Sequence, residues 1–394
     1  MGQNRSVVRC GVFLHGATLH VSNGTMPKTP STAPASDAAR SGLCRRLSRA
    51  LAGTPWADEP LSPLPDTGLA HDHIRLGDSG WLARVPKQSQ LDLPALANLR
   101  YQQACFERAS ASGHAPRLHS VLPPHDGLPR GALLVECIQG RPARLPQDLP
   151  ALARALAALH TLPLPELADR PPLMAPADPL ADLAAEIARQ ALHLADAALA
   201  PATLQAVQTE LSALGALVAR PERPPVTLVA FDAHPGNFLI RPDGQAVLVD
   251  LEKCRYSHPG LDLAHATLYT STTWDLHSHA VLTPAQEAAF LSTWAHQVGQ
   301  QAAHLADACA AWHVPLRRAM WLWSVTWCAK WRATSDRAPV NDGEDWSQQR
   351  SDPALVAHVR ERVHHYLDAA TVQQVRAGFD ALQQAWAPAR EPGA

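Results

Sequence analysis

The sequence predicts a two-lobed α+β protein, in which a small lobe with an antiparallel sheet and one helix precedes a large, mostly helical lobe. Three observations carry that prediction. The chain has 394 residues, more than one average domain and enough to bury a sizeable core. Between Leu61 and Gly140, short β-type runs separated by turns surround a single helical stretch, Leu96 to Ala111. Beyond Gly140 the pattern is almost wholly helical, interrupted by one β-hairpin near residue 240.

Taken in order, residues 1–55 are rich in Ser, Thr, Pro and Ala without sustained apolar periodicity, so an extension without regular structure is expected there. Met26 is an alternative start, and Met1-Gly2 with Ser6 fits the N-myristoylation pattern, a match short enough to be coincidence. The small lobe is expected over 56–135. Its clearest hairpin is Ile74-Arg75-Leu76, the turn Gly77-Asp78-Ser79-Gly80, and Trp81 to Val85. Leu133-Leu134-Val135 reads as a further strand, and 136–140 as a hinge broken by Gln139-Gly140-Arg141-Pro142. The helical lobe follows over 141–390, with Ala/Leu-patterned helices at Leu149 to His160, Asp178 to Leu199 and Thr203 to Val218. No repeat of solenoid length is present.

Composition narrows the partners. With 34 basic and 36 acidic residues there is no global field to recruit nucleic acid or an anionic membrane, so a charged ligand must be read locally. Only Lys28, Lys87, Lys253 and Lys330 are lysines; the arginine, alanine and proline bias suggests a GC-rich bacterial genome. Seven scattered cysteines without a CxxC pair suit reduced thiols in a cytoplasm better than disulfides or zinc. No apolar run approaches the roughly 18 residues of a membrane helix.

The most informative segment is the second hairpin. Val226 to Ala230 and Phe238-Leu239-Ile240 are short strands, Arg241-Pro242-Asp243-Gly244 is a turn, and Ala246 to Val249 is another strand. Polar residues collect at two strand ends: Asp232, His234 and Asn237, then Asp250 and Glu252. Phosphoryl transfer needs such a set. The protein must hold magnesium against phosphate oxygens, place an acceptor hydroxyl in line and take its proton. Asp232 to Asn237 has the Asp-x-x-x-x-Asn spacing of a kinase catalytic loop, and Asp250 follows the next hairpin as a second metal-binding carboxylate would. Hard oxygen donors suit Mg²⁺.

The stretch Ala230-Phe231-Asp232-Ala233-His234-Pro235-Gly236-Asn237, with Val249-Asp250-Leu251-Glu252 and Pro259-Gly260-Leu261-Asp262-Leu263-Ala264, resembles the aminoglycoside phosphotransferase and choline kinase superfamily. The resemblance runs from about Leu61 to about Trp331. It implies a protein-kinase-like fold, ATP as phosphoryl donor, a small-molecule hydroxyl as acceptor, Asp232 as catalytic base, Asn237 and Asp250 as Mg²⁺ ligands, and Asp262 as an orienting residue. In the small lobe it implies a nucleotide-covering loop at Asp66 to Asp72 that includes Gly68. It also implies a phosphate-binding Arg84, with Lys87 as the other candidate, and adenine against backbone groups near Glu136 and Cys137.

Two positions depart from the superfamily pattern. Gln102 occupies the position of the Glu that pairs with the phosphate-binding cation, which leaves Glu107 as its substitute, and Ala230-Phe231 replaces the usual His-Gly. They motivate an alternative, a nucleotide-binding pseudokinase. Gly77-Asp78-Ser79-Gly80 copies a serine-protease nucleophile motif, but a triad needs a surrounding double β-barrel, so a hairpin turn is the expectation. His234-Pro235-Gly236 is expected to shape its loop. Trp323, Trp327 and Trp331 share a helical face and are expected to pack; an aromatic wall for a cationic acceptor, with Asp342, Glu344 and Asp345 nearby, is the alternative.

Overall fold

The computed structural model describes residues 35–65, 70–275, 278–335 and 353–386. The N-terminal part comprises α1 (Ala35–Ala50), β1 (Leu61–Pro63), β2 (His71–Leu76), β3 (Trp81–Pro86), α2 (Ala95–Ala109), β4 (Leu118–Leu122) and β5 (Ala132–Glu136). Its five strands form one antiparallel sheet in the order β1-β2-β3-β5-β4. The period-two alternation of β5 sorts its side chains to two faces. Leu134 joins Ile74, Leu76 and Val85 on one face; Leu133 and Val135 join Leu99, Cys105 and Phe106 of α2 on the other.

The first of those faces is covered by α1, which corrects the expectation of an extension without regular structure up to residue 55. Leu43, Leu47 and Leu51 recur at a spacing of four and are all buried against the sheet. The stripe is only three residues long and sits among Ser, Ala and Arg, where composition hides it. The expectations placed on Met1-Gly2, Met26, Gly68 and Asp342 to Asp345 lie outside the described residues.

The remainder is β6 (Arg141–Pro142), α3 (Leu149–His160), α4 (Pro179–Ala191), α5 (Pro201–Val218), β7 (Thr227–Val229), β8 (Phe238–Ile240), β9 (Ala246–Leu248), β10 (Arg255–Ser257), α6 (Pro259–Thr267), α7 (Tyr269–Thr272), α8 (Pro284–Ala310), α9 (His313–Thr334), α10 (Pro353–Tyr366) and α11 (Ala369–Trp386). Short ladders β6-β8-β9 and β7-β10 stand among the helices, all antiparallel. A Cβ added at Gly140 would meet the Ile240 carbonyl oxygen at 2.8 Å, so glycine is required where the chain passes from β5 to β6 beside β8. Ser79 lies in the β2–β3 turn, where its hydroxyl donates to the Leu76 carbonyl and accepts from the Trp81 N–H. It is used there as a turn residue. Among the described residues no helix is long and apolar enough to cross a membrane.

If α1 belongs to the small lobe, Leu47→Ala should destabilise it by about 2–5 kcal/mol, the cost of emptying a buried leucine site. A denaturation curve indistinguishable from that of the parent chain would place the helix outside the folding unit.

Candidate active site

Asp232 stands just beyond β7, and the backbone that presents it is bent sharply. Phe231 has φ 63°, the left-handed conformation that glycine favours and a phenylalanine adopts only under constraint. The constraint is Asp262 in the first turn of α6. Its carboxylate, fully buried, accepts the backbone N–H of Ala230 at 2.7 Å and of Phe231 at 2.8 Å. His160 at the end of α3 adds a third bond at 3.1 Å through Nε2. Trp294 of α8 donates its indole N–H to His160 Nδ1 at 3.0 Å. An indole can only donate, so Nδ1 is the acceptor and Nε2 carries the imidazole proton that Asp262 receives. Asp262 thus serves the segment that precedes Asp232 rather than capping its own helix.

Beyond Asp232, His234 Nδ1 accepts the Gly236 N–H at 3.2 Å and closes the short turn Pro235–Asn237, as a loop-shaping residue would. The Asn237 side-chain amide donates to the Asp232 carbonyl at 2.8 Å, which ties Asn237 to the segment that carries Asp232. Asp250 follows β9. Asp232, Asn237 and Asp250 therefore come together from two strand ends of the helical lobe.

The small lobe meets this site through Arg84. Its guanidinium, almost fully buried on β3, lies 2.5 Å from Asp250 Oδ1 and 3.4 Å from His73 Nε2. It makes no ion pair with α2. Gln102 is buried and accepts from His71 Nε2 at 2.9 Å, while Glu107 is exposed and receives only its helical neighbour Gln103. Glu107 therefore does not substitute for the missing carboxylate. Lys87 Nζ lies 3.7 Å from Asp72 at the sheet. The backbone N–H groups of Glu136 and Cys137 are committed to the carbonyls of Arg117 and Gly80. The Glu136 side chain bridges Arg117 and Arg241.

Two residues that the sequence reading left without a role complete the surroundings of Asp232. Lys253 Nζ lies 3.0 Å from Asp232 Oδ2, and His265 Nδ1 lies 3.7 Å from Oδ1. Lys253 was visible as one of four lysines, three residues after Asp250. Burial pushes the Asp232 carboxyl up, but Lys253, His234 and His265 outweigh it and hold it below the usual carboxylate range. Burial likewise opposes ionisation of Asp250, and Arg84 with His71 overcomes it. Glu252 goes the other way. Burial and the charge of Asp250 raise it to about 8, and Gln90 donates to it at 2.6 Å.

The tryptophan face packs as expected, with Trp323 and Trp331 buried in the core and Trp327 partly buried against it. Trp321 packs on Phe379 of α11, whereas Trp323 lies edge-on to Phe231 and His265 and donates to Glu186 of α4 at 2.6 Å. Trp327 contacts Trp274, which stacks on Tyr366.

The site histidines set a pH dependence of stability. Burial, aided by the charge of Arg84, holds His71 well below its ordinary value and His73 at about 3, and burial holds His265 at about 4. The folded state keeps them neutral, while the unfolded chain takes up protons below about 6.5. The contribution of these imidazoles is therefore complete above that pH and is lost as pH falls towards 4; Glu252, raised to about 8, acts in the opposite sense, one group against three. Urea midpoints should be lower at pH 5 than at pH 7, and equal midpoints would contradict the burial of these imidazoles.

The family model described as "Phosphotransferase enzyme family" (APH) matches residues 65–298, more than half of the chain. No curated protein matches the sequence. Among solved structures, an ethanolamine kinase of Plasmodium vivax is similar at 12% identity and TM-score 0.55, covering 84% of this chain and 88% of that one. A choline kinase of Cryptosporidium parvum gives 13% identity and TM-score 0.53, with 89% and 99% covered. Aminoglycoside 2'-phosphotransferase-IIIa in its GDP complex gives 13% and 0.53, with 82% and 98% covered. At these identities the structural likeness speaks for the fold, and the family model for membership: the chain belongs to the APH phosphotransferase family and has its two-lobed, protein-kinase-like fold.

Proposed function

We propose that this chain transfers the γ-phosphoryl group of ATP to a hydroxyl of a small-molecule acceptor, with Asp232 as catalytic base. The observation that carries the reading is the convergence of Asp232, Asn237 and Asp250 on a loop that Asp262 fixes from below. Below its usual range, the Asp232 carboxyl is ionised at neutral pH and can accept a hydroxyl proton.

The donor set fits Mg²⁺. Asp250 offers a carboxylate held ionised, and Asn237, whose amide nitrogen is committed to the Asp232 carbonyl, offers an amide oxygen. Among the described residues no cluster of three or more His, Cys, Asp or Glu could hold a metal by itself. Phosphate oxygens and water must then complete the shell. When bound, the ion neutralises charge on the β- and γ-phosphates. Arg84 is the cation the small lobe offers to those phosphates, and it must leave Asp250 to reach them.

On the acceptor side, Trp274 and Trp327 form part of an aromatic cluster, and the Asp275 carboxylate is close to Gly236 of the catalytic loop. A small acceptor bearing positive charge fits this lining better than an anionic one. A second reading, a nucleotide-binding pseudokinase, is favoured by Gln102 and by the engagement of Asp250 with Arg84. The two differ in Mg²⁺-dependent ADP release across choline, ethanolamine, thiamine, an aminoglycoside and neutral polyols: the kinase turns over one of these, the pseudokinase none.

Within the kinase reading the two aspartates divide the labour. Asp232→Ala should lower turnover by the ~10²–10⁴-fold typical of general-base loss while leaving Mg·ATP affinity near that of the parent chain. Asp250→Ala should weaken Mg·ATP binding as well, and Asn237→Ala should give a milder defect relieved by higher Mg²⁺. Calorimetry and Mg²⁺-dependent rates separate these outcomes, and near-normal turnover by Asp232→Ala would overturn the assignment of the base.

A further inference from the structure

Lys253 stands between the two carboxylates of the site. It follows Asp250 by three residues, yet its Nζ lies 3.0 Å from Asp232 Oδ2, on the other segment. The two side chains are 15% and 18% exposed, and the ammonium lies 5.9 Å from the centre of the Trp323 ring. Its charge bears on Asp250 and Glu252 as well as on Asp232.

A purely structural role explains this contact poorly. The turn at Ala230-Phe231 is already fixed by Asp262, and the Asp232 carbonyl by Asn237, without any help from the Asp232 side chain. What Lys253 does is occupy the carboxylate oxygen. An acceptor hydroxyl must come within ~2.6–3.2 Å of that carboxylate to lose its proton, and at Oδ2 it meets the ammonium. Oδ1 lies beside the buried ring of His265, 3.7 Å from Nδ1 and not hydrogen-bonded to it, so Oδ2 is the oxygen that Lys253 holds. The displaced lysine, a point charge on a rotatable four-carbon stem, stays tethered beside Asp250, where the phosphates of Mg·ATP must lie in the kinase reading.

We propose that Lys253 is a further catalytic residue with two positions: it covers Asp232 while the acceptor site is empty, and moves to the γ-phosphoryl oxygens when an acceptor hydroxyl takes its place at the base. This rests on the kinase reading. In the transfer step the acceptor O–H proton passes to Asp232 and the acceptor oxygen forms its bond to the γ-phosphorus. The bond from that phosphorus to the bridging oxygen breaks, and its electron pair leaves with ADP. Lys253 remains protonated throughout and donates to the equatorial oxygens as their charge grows. Covering the base in the absence of acceptor also restrains water from using it, so ATP hydrolysis is held down relative to transfer.

The test measures two rates on the full chain with Mg·ATP: phosphate release to water, and phosphorylation of whichever alcohol in the panel is turned over. Lys253→Met should lower kcat for transfer by ~10²–10³-fold, the scale of losing one preorganised electrostatic donor. The KM for ATP should change only a few-fold, and the ratio of hydrolysis to transfer should rise about tenfold or more. Lys253→Arg retains a cation that can cover the base and should keep a ratio near that of the parent chain, which guards against a methionine variant that merely misfolds. Equal loss of both rates in Lys253→Met, or transfer within about threefold of the parent, would overturn the role of Lys253. Absence of Mg·ATP turnover in the parent chain would instead overturn the kinase reading itself.

Discussion

The site depends on one buried carboxylate. Asp262 takes two consecutive backbone N–H groups that a left-handed phenylalanine has turned inward, and without that acceptor both donors would be buried and unsatisfied, at about 1–3 kcal/mol each. The carboxylate is itself held by His160, and His160 by Trp294, so α3, α6 and α8 all bear on Ala230 and Phe231, the two residues that aim Asp232. Asp232 is therefore placed by the packing of the helical lobe, and its loop needs few contacts of its own. This accounts for the tolerance of Ala230-Phe231 where a His-Gly pair is usual. The φ 63° conformation persists with a phenylalanine because Asp262 holds its N–H and the Arg255 guanidinium lies 3.7 Å over its ring.

The second constraint runs between the lobes. Arg84 is the small lobe's contribution to the site, and it lies on the Asp250 carboxylate. In the superfamily pattern a helix carboxylate competes for that cation; here Gln102 has none to offer and turns to His71 instead. The strongest opposite charge left within reach of β3 is Asp250. The absence of one carboxylate on α2 is thus sufficient to explain where Arg84 goes.

Much of this was legible in the sequence because local chemistry decided it. The hairpin turns at Gly77 to Gly80 and Arg241 to Gly244 announce themselves through turn residues, and the strands around them are short and apolar, so Asp232, Asn237 and Asp250 could be assigned to strand ends. What escaped depended on approach in space. Nothing local distinguishes Lys253 from a solvated lysine, or His160 from any histidine ending an Ala/Leu helix; their partners are 21 and 102 residues away. Glu107 was the converse error: its side chain had the right charge, but α2 turns Gln102 towards the cleft and Glu107 to solvent. Helix α1 was missed because three leucines in an Ala-, Ser- and Arg-rich context are too few to register as a period.

That helix has a consequence for where the molecule may be cut. The family match begins at residue 65, but Leu43, Leu47 and Leu51 lie before it and cover the face formed by Ile74, Leu76, Val85 and Leu134. A shortened chain drawn to the limits of the match would carry an uncovered apolar sheet, which favours self-association. The region of recognisable ancestry is narrower than the unit that covers its own apolar faces, and truncation should respect the latter.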